Sequence, residues 1–114
     1  MKFRRSRVKE MQHWNQVQLD LVRQFVSGGL LAVQFRRQFL HARHEGISGG
    51  DTHEPVDFML DDVWYDIHDH YPDDYATEDD PRLPEQMDDE QLRASLARRV
   101  RDWDAGTYVP QYAD

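Results

Sequence analysis

Apolar residues recur at helical spacing in four separate stretches of the chain, and this pattern constrains the fold more than any other feature. The four stripes are Trp14, Val17, Leu21, Val22 and Phe25; Leu31, Phe35, Phe39 and Ala42; Val56, Met59, Leu60, Val63, Trp64, Ile67 and Tyr71; and Leu92, Leu96, Val100 and Trp103. Apolar residues three and four positions apart lie on one face of a helix. No stretch alternates as a strand does, so the sequence predicts an all-α protein, a small antiparallel four-helix bundle.

Turn-forming residues separate the four stripes. Ser27, Gly28 and Gly29 end the first helix, and the second helix, predicted from about 30 to 45, is followed by the loop GISGGDTHE. Pro55 suits the first position of a third helix that extends to about 71. The acidic segment from Pro72 to Glu85 contains further prolines and predicts a loop. We expect Asp88 or Asp89 to cap the fourth helix.

A length of 114 residues suits one domain with one core. The stripes place the bundle at residues 13–105. Residues 1–12 are basic and weakly periodic, so we expect them to fray. Residues 106–114 have no helical stripe and are predicted either to pack as an extended strap or to be mobile.

Charge is unevenly distributed along the sequence. The net charge is −8, and residues 51–92 carry sixteen Asp or Glu against the single Arg82, whereas residues 1–50 carry nine Lys or Arg and three acidic residues. A concentrated negative field repels nucleic acid and favours encounter with a basic protein. We therefore predict a basic protein partner and no direct contact with nucleic acid. The alternative is that the acidity only aids solubility.

The chain contains no cysteine, which excludes disulfides and thiolate metal sites and favours a cytoplasmic location. The basic start, MKFRRSRVKE, is not followed by the apolar run of a signal peptide. No apolar stretch approaches the roughly 18 residues that span a bilayer. The sequence therefore predicts no membrane partner. We also expect the protein to be a monomer or a weak dimer.

Histidines and paired carboxylates raise the question of metal binding or catalysis. His68 and His70 lie two positions apart, so on a helix they point in nearly opposite directions and cannot share one ion. Carboxylate pairs such as Asp61 with Asp62, or Asp73 with Asp74, need a partly desolvated cleft for acid–base work, and a small bundle offers none on an outward face. No nucleophile or phosphate-binding motif occurs. We predict no catalytic residues, no cofactor and no metal.

The third helix also has a distinctive second face. At 100° per residue, the side away from the stripe carries Phe58, Asp61, Asp62, Tyr65 and Asp69. Aromatic residues among carboxylates are typical of a binding hot spot, in which rings supply buried area and charges steer the encounter. The alternative is that Tyr65 merely covers a neighbouring loop or the tail.

Three segments resemble the colicin D-type immunity proteins of bacteria. FVSGGLLAVQFRRQFL is similar to the first two helices of that family and their Ser-Gly turn, with Phe25, Ser27, Gly28, Phe35 and Phe39 at the matching positions. DDVWYDIHDHYPDD looks like the family's acidic third helix and turn, at Tyr71, Pro72 and Asp73, and DDEQLRASLARRV resembles its closing helix. The resemblance covers about residues 15 to 104, and the chain departs from it at Gly29 and Leu30, where the family commonly has an acidic residue.

The resemblance implies a bacteriocin immunity protein, a toxin inhibitor that covers the basic active-site cleft of a nuclease, of the kind that cleaves transfer RNA, and mimics its phosphates. The expected toxin-binding residues are Asp61, Asp62, Tyr65, Asp66, Asp69, Asp73, Asp74, Tyr75, Glu78, Asp79 and Asp80. The alternative is an acidic helical adaptor that binds a basic protein without inhibiting any enzyme. The inhibitor hypothesis requires that these carboxylates face outward, and it would lose its physical basis if they were turned inward and paired with the chain's own arginines.

Overall fold

Four α-helices form the described part of the molecule. The computed structural model describes residues 11–50 and 54–111. Its helices are α1 (His13–Val26), α2 (Ala32–Ser48), α3 (Pro55–Asp69) and α4 (Asp89–Asp104). Helix α1 packs against each of the other three, and α3 also packs against α4. The described residues contain no strand, and the predicted all-α four-helix bundle is confirmed.

The core is built on aromatic side chains from α1 and α2. The rings of Phe25 and Phe35 stack with centroids 4.7 Å apart, and Phe39 lies 5.5 Å from Phe35. The other two helices close the core with Met59, Leu60, Val63, Ile67, Leu92 and Leu96, all buried. These residues come from the predicted stripes. Leu31 was also predicted to face the core, but it precedes α2 and is 69% exposed. Ala32 is buried in its place.

Most helix ends lie where the sequence places them. Gly28 follows α1 with φ of +91°, a conformation that favours glycine. Pro55 is the first residue of α3. Asp88 caps α4 by accepting a hydrogen bond from the Gln91 backbone N–H at 2.7 Å, while the Gln91 side chain accepts one from the Asp88 N–H at 2.8 Å. This reciprocal pair is a capping box.

Helix α2 is longer than predicted. The expected loop starts at Gly46, but Gly46 is buried within α2 and the helix continues to Ser48. An internal glycine costs a helix only about 1 kcal/mol, which the packing of neighbouring turns can offset. The helix ends instead at Gly49 and Gly50, where Gly50 has φ of +79°.

The chain enters the bundle at Met11, which packs against the core, and the Gln12 backbone N–H donates to Glu54 Oε1 at 3.0 Å. The rest of the basic segment, residues 1–10, lies outside the described residues, so the expectation that it frays stays a prediction. Among the four helices described here, none has the length and apolar character needed to cross a membrane.

The capping box of α4 gives a stability prediction. Asp88→Ala removes the side-chain acceptor of the Gln91 N–H, and we expect it to lower the free energy of unfolding by about 1 kcal/mol, measured by urea denaturation. Glu90→Ala, an exposed substitution in the same turn, is the matched control. Equal losses in the two variants would contradict a capping role for Asp88.

Candidate protein-binding surface

Two carboxylates of α3 point into the protein. Asp62 is 1% exposed and Asp66 is 3% exposed. The prediction that Asp62 lies on an outward face is therefore wrong, and Asp66, expected as an electrostatic contact, is also turned inward. Because both side chains are buried, neither can contact another protein that binds the folded bundle.

Arg99 of α4 pairs with both of these carboxylates. Its Nε donates to Asp66 Oδ2 at 2.7 Å and a terminal nitrogen donates to Asp66 Oδ1 at 3.0 Å, a bidentate pair, while the other terminal nitrogen lies 3.4 Å from Asp62 Oδ2. Ser95 Oγ also donates to Asp66, at 2.7 Å. Burial opposes the charge of Arg99, but the hydrogen bond and charge of Asp66 outweigh it and raise the pKa of Arg99.

The C-terminal tail completes this cluster. The Tyr108 hydroxyl and the Gln111 backbone N–H, the latter at 2.8 Å, both donate to Asp62 Oδ2. Arg99 in turn donates to the Tyr108 hydroxyl at 2.9 Å and to Gln111 Oε1 at 2.7 Å. Burial and the hydrogen bond to Asp62 raise the pKa of Tyr108. Residues 106–111 thus pack as a strap, the first of the two alternatives for the tail, and residues 112–114 lie outside the described residues.

An acidic surface lies at the C-terminal end of α3. We call residues 69–90 the acidic lobe, which contains ten Asp or Glu and one arginine. Two backbone hydrogen bonds join the start and end of its loop, from the Met87 N–H to the Asp69 carbonyl at 2.7 Å and from the Tyr71 N–H to the Met87 carbonyl at 2.9 Å. The lobe therefore has a defined backbone.

Hydrogen bonds from side chains stabilise the loop of the lobe from within. Arg82 donates to the Tyr71 carbonyl at 2.9 Å and to Asp73 Oδ1 at 2.7 Å. The Tyr71 hydroxyl donates to Asp80, and this hydrogen bond raises the pKa of Tyr71. Asp73 and Asp89 exchange backbone-to-carboxylate hydrogen bonds at 3.1 and 3.2 Å. The single cation of the lobe is thus used inside the loop.

A buried histidine joins the lobe to the bundle. His70 is 4% exposed, with Nε2 2.7 Å from Asp89 Oδ1 and Nδ1 3.2 Å from a terminal nitrogen of Arg36. Because arginine can only donate, Nδ1 accepts and the proton of the neutral ring lies on Nε2, facing Asp89. Arg36 also donates to the Ile67 carbonyl at 2.8 Å. Burial, and then the charge of Arg36, lower the pKa of His70 against the opposing effect of Asp89 and Asp73.

The lobe contains most of the predicted site residues, and all of these are exposed: Asp69, Asp73, Asp74, Tyr75, Glu78, Asp79 and Asp80. Tyr75 is 52% exposed. Asp69, Asp74, Glu78 and Asp79 take part in no ion pair within residues 11–50 and 54–111. These carboxylates are available to a cationic partner.

The other two predicted residues, Asp61 and Tyr65, lie in a separate groove between α2 and α3. The groove has a volume of about 480 Å³ and is lined by Leu40, Arg43, His44, Ile47, Phe58, Asp61, Asp62, Trp64 and Tyr65. Asp61 forms an ion pair with Arg43 across it. Trp64, predicted to be buried in the core, lies half-buried here.

Sequence reasoning missed the residues that organise these surfaces. Arg99 is one of three arginines near the end of α4, with Arg98 and Arg101, and only its position four residues after Ser95, on the flank of the apolar stripe, distinguishes it. His70 was considered only as a possible metal ligand beside His68. Tyr108, an aromatic residue in an otherwise patternless tail, was a usable signal that the tail packs.

In the part of the chain that the structure describes, no group of three or more His, Asp or Glu is arranged to hold a metal ion. Comparisons with models of protein families, with curated proteins and with solved structures give no match. The assignment of function therefore depends on the surfaces described above.

Removing Arg99 tests the buried cluster. Arg99→Met leaves Asp62 and Asp66 buried without a cation, and we expect a loss of about 3–5 kcal/mol in the free energy of unfolding, measured by urea denaturation. Arg98→Met changes an exposed arginine next to it and should shift stability by only about 0.5 kcal/mol. Similar values for the two would refute the role of Arg99.

His70 gives a prediction for pH. Because its folded pKa is below the usual value of about 6.5, the unfolded chain binds the proton more readily, so stability is complete above about pH 6.5 and falls as the pH decreases towards the folded pKa. We expect the free energy of unfolding to fall more steeply between about pH 7 and 5 in the wild type than in His70→Gln. His44→Gln, the same substitution at an exposed histidine, is the matched control. An unchanged slope in His70→Gln would exclude His70 as the source.

Proposed function

We propose that the chain is a non-enzymatic inhibitor that binds a basic protein through the acidic lobe, and that this protein is the nuclease domain of a bacterial toxin. The observation that carries the proposal is the concentration of ten carboxylates against one arginine in the lobe, with the arginine already used inside the loop. A site that binds the phosphates of a nucleic acid is rich in Lys and Arg. Exposed carboxylates can take the place of those phosphates.

The structure of the lobe supports rigid recognition. Its backbone is closed by the hydrogen bonds between Met87, Asp69 and Tyr71, and its N-terminal end is fixed to α2 and α4 through His70. A surface that is ordered before binding loses little conformational entropy when a partner docks. An inhibitor that must compete with nucleic acid benefits from this preorganisation.

Charges and an aromatic residue have separate roles in this proposal. The exposed carboxylates accelerate association with a basic cleft, since attraction between opposite fields acts before contact. Tyr75, half-exposed beside Asp74, supplies a large apolar contact that slows dissociation. Helix α3 contributes Asp69 to this surface, whereas Asp62 and Asp66 stabilise the bundle.

The resemblance to colicin D-type immunity proteins supports the choice of partner. It agrees with the four-helix bundle and with the acidic turn after α3, at Tyr71, Pro72 and Asp73. The first test is co-expression with the reading frame next to the gene of this chain. Restored growth of cells that express a nuclease from that frame, and a stable complex of the two proteins, are expected. An adaptor would form the complex without suppressing the nuclease, and that result would overturn the proposal.

Charge reversal in the lobe is the second test. Asp74→Lys/Glu78→Lys/Asp79→Lys should slow association with an inactivated nuclease domain by roughly tenfold or more and reduce the salt dependence of the rate, measured by surface plasmon resonance. Asp20→Lys/Glu45→Lys/Asp102→Lys makes the same change in net charge outside the lobe and is the matched control. Equal effects would show that net charge acts, and would remove the lobe from the proposal.

A further inference from the structure

The groove between α2 and α3 exposes more apolar surface than a small bundle requires. Ile47 is 71% exposed, Phe58 46% and Tyr65 44%. The half-buried ring of Trp64 lies between Tyr65 and His68, with centroids 5.1 and 4.0 Å away. Aromatic side chains grouped on one exposed face are characteristic of a protein-binding surface.

The shape of the groove suits a helix. Arg43 pairs with Asp61, and Arg36 donates to the Ile67 carbonyl further along α3, so α2 and α3 run antiparallel on either side of the groove. The α3 residues that line the groove run from Phe58 to Tyr65, about 10 Å, which equals two helical turns. A third amphipathic helix can lie along such a groove with its apolar face inward.

The charges beside the groove select a cationic occupant. Asp61 is 39% exposed at the rim, and the exposed Asp69 lies about one turn beyond the lining residue Tyr65, where the acidic lobe begins. Arg43, on the α2 side, is 16% exposed and is paired with Asp61 and with Gln18 Oε1 at 3.2 Å. An occupant with Lys or Arg beside its apolar face would therefore meet carboxylates along α3 and in the lobe.

The net charge also opposes a second copy of this chain as the occupant. Each copy carries −8, and two such copies brought together would repel one another. A basic helix instead reduces the charge of the complex. The same argument makes the partner of the acidic lobe the natural source of the helix.

We propose that the α2–α3 groove binds a basic amphipathic helix of the partner protein, with the apolar side chains of that helix against Phe58, Tyr65 and Ile47 and its cations towards Asp61 and Asp69. This inference rests on the proposed function and adds a second contact to it. The lobe supplies long-range attraction and the groove supplies the apolar contact area.

The test uses a synthetic helix, so that it does not depend on identifying a toxin. The probe is an acetylated and amidated Leu/Lys peptide of roughly 14 residues, near the lower length limit of a stable isolated helix, with leucines three and four positions apart. Its isomer has the same composition with leucines distributed around the helix. The full chain should bind the amphipathic peptide about tenfold more tightly than the isomer in calorimetric titration.

Substitutions then locate the site. Phe58→Ser/Tyr65→Ser changes two exposed residues and should remove the tenfold preference, whereas Leu31→Ser/Val109→Ser, exposed apolar residues outside the groove, should retain it. The triple lobe reversal should weaken both peptides alike. If Phe58→Ser/Tyr65→Ser binds like the wild type, the groove is not the site and the inference is wrong.

Two further outcomes separate the alternatives. A wild-type dimer in sedimentation velocity that Phe58→Ser/Tyr65→Ser converts to monomer would assign the groove to a second copy and overturn the inference. Failure to neutralise a nuclease, with the peptide preference intact, would remove the nuclease from the proposed function and leave the groove assignment supported.

Discussion

The ion pairs of Arg99 with Asp62 and Asp66 determine which residues of α3 face solvent. Burying these two carboxylates against α4 fixes the rotation of α3 about its axis, and this rotation directs Phe58, Asp61 and Tyr65 towards the groove. Two carboxylates and one guanidinium leave an excess negative charge in a buried place. The neutral donors that surround it, the Ser95 and Tyr108 hydroxyls and the Gln111 N–H, are therefore as important as the cation, which explains why the tail packs.

Carboxylate side chains have opposite roles within α3 and in the loop that follows it. Inside the bundle, Asp62 and Asp66 are stabilising because each has its donors, whereas in the lobe Asp74, Glu78 and Asp79 repel one another at the surface. The lobe keeps one conformation because Arg82, Tyr71 and the backbone hydrogen bonds of Met87 hold it. Repulsion that remains in the free protein is relieved when a cation approaches, so a basic partner gains affinity that a neutral partner would not.

The sequence predicted the helices well because their signals are local. A glycine, a proline or an aspartate at the right position ends or begins a helix whatever lies around it, and periodic apolar residues identify the core face. The outward face of α3 was harder to predict. Asp62 lies on the flank of the helix, between the stripe and the exposed side, and only the position of Arg99 and the strap decides that this flank is buried. Such a contact joins residues distant in sequence, and one chain without its fold does not reveal it. Gly46 was wrongly placed because packing overrode the local signal, and Leu31 because α2 begins one residue after it.

Correcting the position of Asp62 and Asp66 changes how the exposed surface recognises a partner. A continuous acidic helix would bind by charge alone, and its affinity would fall strongly with salt. The structure instead separates a charged lobe from an aromatic groove, with Asp69 between them. Charge acts over about 8–10 Å in physiological salt and brings a partner near. Apolar contact acts only after water is expelled, and it depends little on ionic strength. A surface with both components can discriminate between basic proteins, because charge is common to many of them and a matching apolar helix is not.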